Sequence, residues 1–364
     1  MTTHTFKPDQ PPPRTVVGPL AWLRDNLFAS PLHVLLTLLA LYLLWLIVPP
    51  IINWAFLQAD WTGTTRADCT GEGACWVFIK ERFGQFMYGF YPSELRWRVD
   101  LTVWLAIIGT APLFLPMMRH KAWYGIGFLF FYPLLAYWLL HGGPGLEEVP
   151  TSRWGGLMLT LVIAYVGITG ALPLGILLAL GRRSDMPAIK VICVTTIEFW
   201  RGVPLITVLF MSSVMLPLFL PEGLGLDKLL RALVMVVLFE AAYVAEVVRG
   251  GLQAIPKGQY EAASALGLGY WRSTGLVILP QALKMVIPGI VNTFIALFKD
   301  TSLVIIIGLF DLLNSIKQAT TDPKWLGMST EGYVFAALVY WVFCFSMSRY
   351  SMHLERKLDT GHKR

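Results

Sequence analysis

Of 364 residues, 55% are hydrophobic and only 14% charged, and the mean hydropathy is +0.60, a balance that excludes an ordinary soluble domain and implies an integral membrane protein. The net charge of +6 does not indicate nucleic acid, because the basic residues are scattered through short loops beside apolar runs, where membrane orientation accounts for them.

The first 30 residues are polar and include Pro11, Pro12 and Pro13, with no apolar core close behind the initiator methionine, so a cleaved secretion signal is not expected. If residues 20–29 are helical, Trp22, Leu23, Leu27 and Phe28 fall on one side and Arg24, Asp25 and Asn26 elsewhere, the pattern of a helix lying on a membrane surface. A disordered tail competes with any structured reading of residues 1–17. Apolar runs long enough to cross a bilayer, about 20 residues each, occur at 32–52, 101–118, 122–141, 155–180, 197–220, 231–249, 285–310 and 332–352. The expected fold is therefore all-α and membrane-embedded, with about eight transmembrane helices. The run at 101–118 is short and is interrupted by Pro112 and Pro116. No internal repeat marks the paired halves common in secondary transporters.

Placing the N-terminus in the cytoplasm gathers Arg119, Lys121, Arg182, Arg183, Lys190, the polar stretch 250–284 and the tail Arg356, Lys357, Lys363 and Arg364 on one side. The opposite side then carries fewer basic residues, and many of those lie in the long loop 53–100, where they weigh less in the positive-inside rule. Both termini are expected to be cytoplasmic. In the long loop, Cys69 and Cys75 flank Thr-Gly-Glu-Gly-Ala, and in an oxidising space they are expected to close a disulfide. Metal binding is the rival, but no histidine lies nearby and two thiolates make a poor zinc site; no metal site is expected. The following segment, Trp76 to Phe90, mixes aromatic and basic residues and suits either the headgroup level or packing against the chain's own spans. Cys193 and Cys344 lie in or near apolar runs and read as inert small hydrophobes. Tryptophans near span ends, such as Trp45, Trp54, Trp138 and Trp154, read as interfacial anchors.

Two stretches carry the chemistry. Lys299 and Asp300 sit near the middle of the 285–310 run, after Pro288-Gly289, which can bend a helix, and before Thr301 and Ser302, whose hydroxyls can bond to backbone or ligand. Charges at bilayer depth need a partner or a water-filled cavity. An amino acid zwitterion supplies one partner for each sign, with Lys299 receiving the carboxylate and Asp300 the ammonium. Neutralisation of other buried charges, with Glu240 as partner of Lys299, is the competing account. The second stretch is the polar segment Glu261-Ala-Ala-Ser-Ala-Leu-Gly267, which leads to Val277-Ile-Leu-Pro280 between two apolar runs. Pro256 can open a helix there and Gly267 with Gly269 can close it through a left-handed cap. The result is a surface helix of two to three turns with small alanines and one charge, Glu261, near its positive end.

Glu261-Ala262-Ala263, then Gly267, then the ending at Pro280 resemble the cytoplasmic signature loop of permease subunits in binding-protein-dependent ABC importers, with Val277 where isoleucine is frequent. Ala242 to Gly251 before the loop, and Lys299-Asp300-Thr301-Ser302-Leu303 after it, are similar to the polar amino acid branch of that family. Glu198-Phe-Trp-Arg201-Gly-Val-Pro204 is similar to its Phe-Arg-Gly-Thr-Pro segment, with Val203 in the threonine place. The resemblance covers about residues 151–354 and implies a type I importer core of five helices within 151–364, its coupling loop at 250–284, preceded in 1–150 by a tail and three accessory spans.

It also implies partners: a second permease that forms a heterodimer with this chain, two ATPase subunits that grip Glu261, Ala262, Ala263, Gly267 and Pro280, a periplasmic binding protein, and an L-amino acid contacting Lys299, Asp300, Thr301, Ser302 and Leu303. The chain lacks a Gly-x-x-x-x-Gly-Lys-Ser/Thr phosphate loop, so ATP and magnesium are expected in the ATPase partners, with no cofactor here. Arg201 with Glu198, and Glu246 with Arg249, are each spaced i,i+3 for a structural pairing, the second expected to hold the signature loop. An ion-coupled secondary carrier would also place charge at mid-membrane but should show inverted repeats. A membrane-embedded enzyme would need a nucleophile or metal constellation, and no such motif is found.

Overall fold

Helices form where the apolar runs predict them, and prolines and glycines set most of their ends. The computed structural model describes residues 18–114, 120–219, 221 and 225–358. The tail 1–17, Pro116, Arg119, Lys363 and Arg364 lie outside the described residues. The chain separates into two compact units, Met1–Val77 and Phe78–Arg364.

In the first unit, α1 (Pro19–Leu27) starts on a proline at its first position and leaves Trp22, Leu23 and Phe28 exposed, as a helix at a membrane surface requires. Helix α2 (Pro31–Ile52) is capped by Ser30, whose hydroxyl accepts from the His33 amide. No side chain of α2 is buried, so its leucines, Trp45 and Tyr42 present an apolar face all round, suited to lipid. After a short π-helical turn at Asn53–Leu57, the loop is organised by two aspartates. Asp60 accepts from the Thr70 amide at 2.7 Å and its hydroxyl at 3.0 Å, while Asp68 accepts from the Thr64 and Thr65 amides, both at 2.8 Å. Cys69 and Cys75 are joined as a disulfide with their Cα atoms 5.7 Å apart.

The two amide donors at Thr64 and Thr65 hold the Asp68 carboxyl below the usual carboxylate range. Its contribution to loop order is therefore present above the ordinary aspartate pKa and is lost as pH falls through the lowered value. Hydrogen exchange of a peptide spanning 60–75, corrected for intrinsic rates, should show protection at neutral pH that disappears on strong acidification and is already absent in Asp68→Asn. Equal protection in the two proteins at neutral pH would remove this role, and mass spectrometry of unreduced protein finding free thiols at Cys69 and Cys75 would remove the disulfide.

The second unit begins within α3 (Trp76–Tyr88). Phe78 and Phe86 are fully buried, and their rings meet Trp325 at 5.5 Å and Phe335 at 5.8 Å. Of the two readings of this segment, packing on the chain's own spans is the one observed. Arg82 pairs with Asp322 and fixes the same face. Helices α4 (Arg96–Phe114) and α5 (Lys121–His141) form a hairpin; α6 (Gly156–Arg182) opens the helical core. Helix α7 (Pro187–Gly202) is separated from α8 (Leu205–Phe210) by Val203-Pro204, and a π-helical turn at Met211–Met215 leads to α9 (Leu216–Phe219). The expected span at 197–220 is thus broken: α7 and the segment 205–219 are bent by 100°. Proline cannot supply the amide that would continue α7, and it bars its predecessor from helical geometry.

The centre of the unit is α10 (Lys228–Ala254), packed against α6, α7 and α13 (Leu279–Asp300). Between α10 and α13 lie α11 (Lys257–Ala265) and α12 (Tyr270–Ser273). A 3-10 turn at Thr301–Ile307 follows α13, then β1 (Phe310–Asp311), α14 (Leu312–Thr320) and α15 (Ser329–Leu358). At this end three backbone segments touch: Gly89 bridges Trp154, and Gly155 and Gly156 bridge Phe310 and Asp311. Gly156 has φ +62°, and a Cβ there would strike the Phe86 carbonyl oxygen, so only glycine serves. Buried Asp311 caps α14 by accepting from the Asn314 amide at 3.1 Å and receives the Tyr340 hydroxyl of α15 at 2.8 Å.

Among the described residues, five helical stretches are long and apolar enough to cross a membrane, and the bent pair makes up to six. Of the remaining expected spans, the described part of 101–118 lies in α4, which opens with Arg96, Arg98 and Asp100, and 231–249 lies in α10, which carries charge within the span. In α10 that charge is tolerable because Glu240 is enclosed by neighbouring helices and Glu246 and Arg249 are paired.

Candidate functional site

The signature stretch is a self-contained knob. Pro256 is the N-cap of α11, the helix runs nine residues, and Gly267 follows with φ +73°, the left-handed residue that ends helices. Ala263 is 2% exposed and faces the core, whereas Glu261, Ala262 and Gly267 are exposed. Leu266, at the tip, is 80% exposed. Pro280, the second residue of α13, is exposed, and so are Trp271 and Leu276 in the segment before it. The outer surface of the loop therefore sets small residues beside exposed Leu266, Trp271 and Leu276, with Lys257, Glu261 and Arg272 as its charges, a mixture that suits burial against another protein.

Anchoring comes from a residue that spacing did not reveal. Arg183, at the end of α6, donates to the Leu252 carbonyl at 2.7 Å and to the Tyr260 hydroxyl at 3.0 Å, with its guanidinium 5.6 Å from the Tyr260 ring. Gln281 of α13 donates to Gln259 at 3.2 Å. The loop is thus tied to both α6 and α13. Glu246 and Arg249 do pair, but they do not hold the loop. Glu246 also faces Arg182 at 3.3 Å and Arg201 at 3.8 Å, and Glu198 faces Arg182 at 2.9 Å and Arg201 at 3.8 Å. Three arginines and two glutamates so bind α6, α7 and α10 together. The i,i+3 spacings were visible in sequence; Arg182, remote in the chain, completes the set only through the fold.

The other candidate lies where α13 ends. Lys299 and Asp300 are the last two residues of that helix rather than its middle, because the chain tightens into 3-10 geometry at Thr301. Successive helical residues point about 100° apart, and these two diverge. Lys299 is exposed and lies toward Cys344 of α15, still within electrostatic reach of Asp300 but with no ion pair to it. Asp300 is half-buried beside Glu240 of α10. No ion pair joins Lys299 to Glu240. Thr301 is buried with its hydroxyl donating to the Phe298 carbonyl at 2.8 Å, and Ser302 donates to the Lys299 carbonyl at 3.0 Å. Leu303 packs on the core cluster that includes Val304 and Leu309. The five residues are contiguous, but only Lys299 and Asp300 turn charge outward from the turn, while Thr301, Ser302 and Leu303 shape it.

The helix terminus adds electrostatics of its own. The C-terminal end of α13 carries partial negative charge, which stabilises Lys299 and, with Asp300 and Glu240, makes the α10–α13 side attractive to a cation. Among the described residues no cluster of three or more His, Cys, Asp or Glu side chains is arranged to hold a metal ion.

Comparison with known proteins matches residues 171–360 to the family described as binding-protein-dependent transport system inner membrane component. The chain is similar to the inner membrane amino-acid ABC transporter permease protein YhdY of Escherichia coli strain K12, with 64% identity over 97% of each chain. It is 41% identical, over 97% of each chain, to the glutamate/glutamine/aspartate/asparagine transport system permease protein BztC of Rhodobacter capsulatus. Among solved structures, a crystal structure of an amino acid ABC transporter with histidines is 30% identical and covers 56% of this chain and 92% of that one, with a TM-score of 0.49.

Proposed function

This chain belongs to the inner membrane components of binding-protein-dependent transport systems, and from that premise we propose that it forms part of the gated passage through which L-amino acids enter, driven by ATP hydrolysis in partner subunits. It is a multi-pass inner-membrane permease subunit of an ABC importer. The observation that carries the rest is the knob around α11: a short helix with an exposed small-residue face, held to α6 by Arg183 and to α13 by Gln281. A push on that helix reaches α13, whose far end carries Lys299 and Asp300.

Two ATPase subunits are assigned to the loop, binding ATP and magnesium themselves, with Glu261, Ala262, Ala263, Gly267 and Pro280 forming the grip. A second, unlike permease completes the passage and a periplasmic binding protein delivers the substrate; both termini face the cytoplasm. Lys299 and Asp300 contact the substrate; residues 1–150 supply accessory spans and residues 151–364 the permease core. Coupling is mechanical: the loop moves as a lever with the ATPase and shifts a two-state bundle between inward-open and outward-open. Amino acids with acidic or amide side chains are the first substrates to test, given the names of the relatives.

The test is reconstitution. The chain purified from its native membrane should bring an ATPase subunit with it, and vesicles holding the permease pair, ATPases and binding protein should accumulate L-glutamine only when ATP is enclosed with the ATPases. Accumulation without any nucleotide-hydrolysing subunit would overturn the proposal.

A further inference from the structure

Glu240 is 5% exposed, and its Oε1 atom is buried with no hydrogen-bond partner among the described residues. It lies about 18 Å along α10 from the helix start, counting the usual rise per residue, which places it deep in the bundle. A carboxyl at such depth is expensive unless something compensates it. Among the described residues no arginine, lysine or histidine forms an ion pair with it; its polar neighbours are Thr293 and the Asp300 carboxyl, both on α13. The Thr293 hydroxyl already donates to the Ile290 carbonyl at 2.8 Å. Lys299, adjacent to Asp300, lies within electrostatic reach of both the Asp300 carboxyl and Cys344 of α15, but it is exposed and forms no ion pair with Asp300 or Glu240. Two carboxyls and the negative end of α13 therefore converge on one side of the α10–α13 contact, and among the described residues neither carboxyl is held in an ion pair.

From this arrangement we propose that Glu240 is a specificity-determining residue that, with Asp300, receives the ammonium group of the amino acid as it passes. The inference rests on the amino acid transport reading above and deepens it. An ammonium has the charge and the multiple N–H donors that this pair lacks, and it satisfies the orphan oxygen of Glu240. A substrate carboxylate would be repelled from the same place. The arrangement thus sets the orientation of a zwitterion, ammonium toward α10.

The experiment compares L-glutamine with glutaramate, the same molecule without its α-ammonium, as competitors for binding to the detergent-solubilised assembly of both permeases and ATPases, without binding protein. Wild-type assembly should prefer L-glutamine, and Glu240→Gln should lose roughly 10- to 100-fold of that preference, the range expected for one charge-assisted hydrogen bond, while its affinity for glutaramate stays unchanged. Equal weakening of both ligands, or an undiminished preference, would overturn the proposal in favour of a packing role. Glu240→Asp is the second variant: it retains charge but withdraws it by one methylene, and should weaken L-glutamine more than glutaramate even if the glutamine variant fails to assemble; equal effects overturn the proposal here too. Failure of wild-type vesicles to take up L-glutamine or any other amino acid would instead strike the transport reading itself, so the two failures are distinguishable.

Discussion

Replacing Ala262 with arginine is expected to detach the ATPase subunits and abolish ATP-driven uptake. Ala262 is exposed on α11, beside Ala263, which is turned into the core. Its methyl group lets a partner approach the helix backbone, and the arginine side chain would fill that space. Overpacking alone costs about 1–3 kcal/mol, and a guanidinium enclosed without a counter-charge adds several more. Even a total of about 3 kcal/mol weakens association roughly 100-fold. The isolated permease should be little affected, because surface substitutions away from packed features usually stay within about 0.5 kcal/mol. Glu261→Lys, beside Ala262 in the middle of the same exposed helix, reverses the charge offered to a partner and should produce the same loss in weaker form. Co-purification of ATPase, followed by uptake in vesicles, measures both. Retention of the ATPase at wild-type levels by Ala262→Arg would show that the knob is not the grip.

The loop was readable because its determinants are local. Pro256 and Gly267 bound α11 by backbone restrictions that do not depend on distant contacts, and the observed φ of +73° at Gly267 is the geometry those restrictions demand. The apolar runs located the helices for a similarly general reason, since lipid requires length and apolarity wherever a span falls. What resisted reading was tertiary. Val203-Pro204 lies inside a run that is long and apolar enough to read as one span, and hydropathy alone passes over the 100° bend that it makes. Phe78 and Phe86 suit a headgroup layer or a protein core equally well until Trp325 and Phe335 are brought against them from elsewhere in the chain. Arg182 and Arg183 are adjacent in sequence and look alike, yet one enters the five-charge cluster and the other anchors α11. Lys299 and Asp300 looked like a matched pair because they are neighbours, and helical geometry sends them to different helices for that very reason.

That divergence shapes the expected behaviour of Lys299→Ala and Asp300→Asn. Each should reduce uptake at least 10-fold, because each removes one charge-assisted contact worth about 1.5–3 kcal/mol, and loss of Lys299 should come close to abolishing transport. Neither should prevent assembly. Lys299 is exposed at the end of α13 and gains from the helix dipole about 0.3–1 kcal/mol, too little to decide folding. Asp300 is half-buried among polar neighbours, and asparagine keeps its shape while relieving the proximity of two carboxyls. The two variants should fail differently, since opposite ends of the zwitterion are affected. With Lys299→Ala, the preference for L-glutamine over its carboxamide, which lacks the α-carboxylate, should collapse; with Asp300→Asn, the preference over glutaramate should collapse instead. Uptake assays in vesicles with these competitors separate the cases. Near-normal uptake by Lys299→Ala would refute its contact with substrate, and an identical change of preference in both variants would mean that the turn after α13 acts by shape rather than by charge.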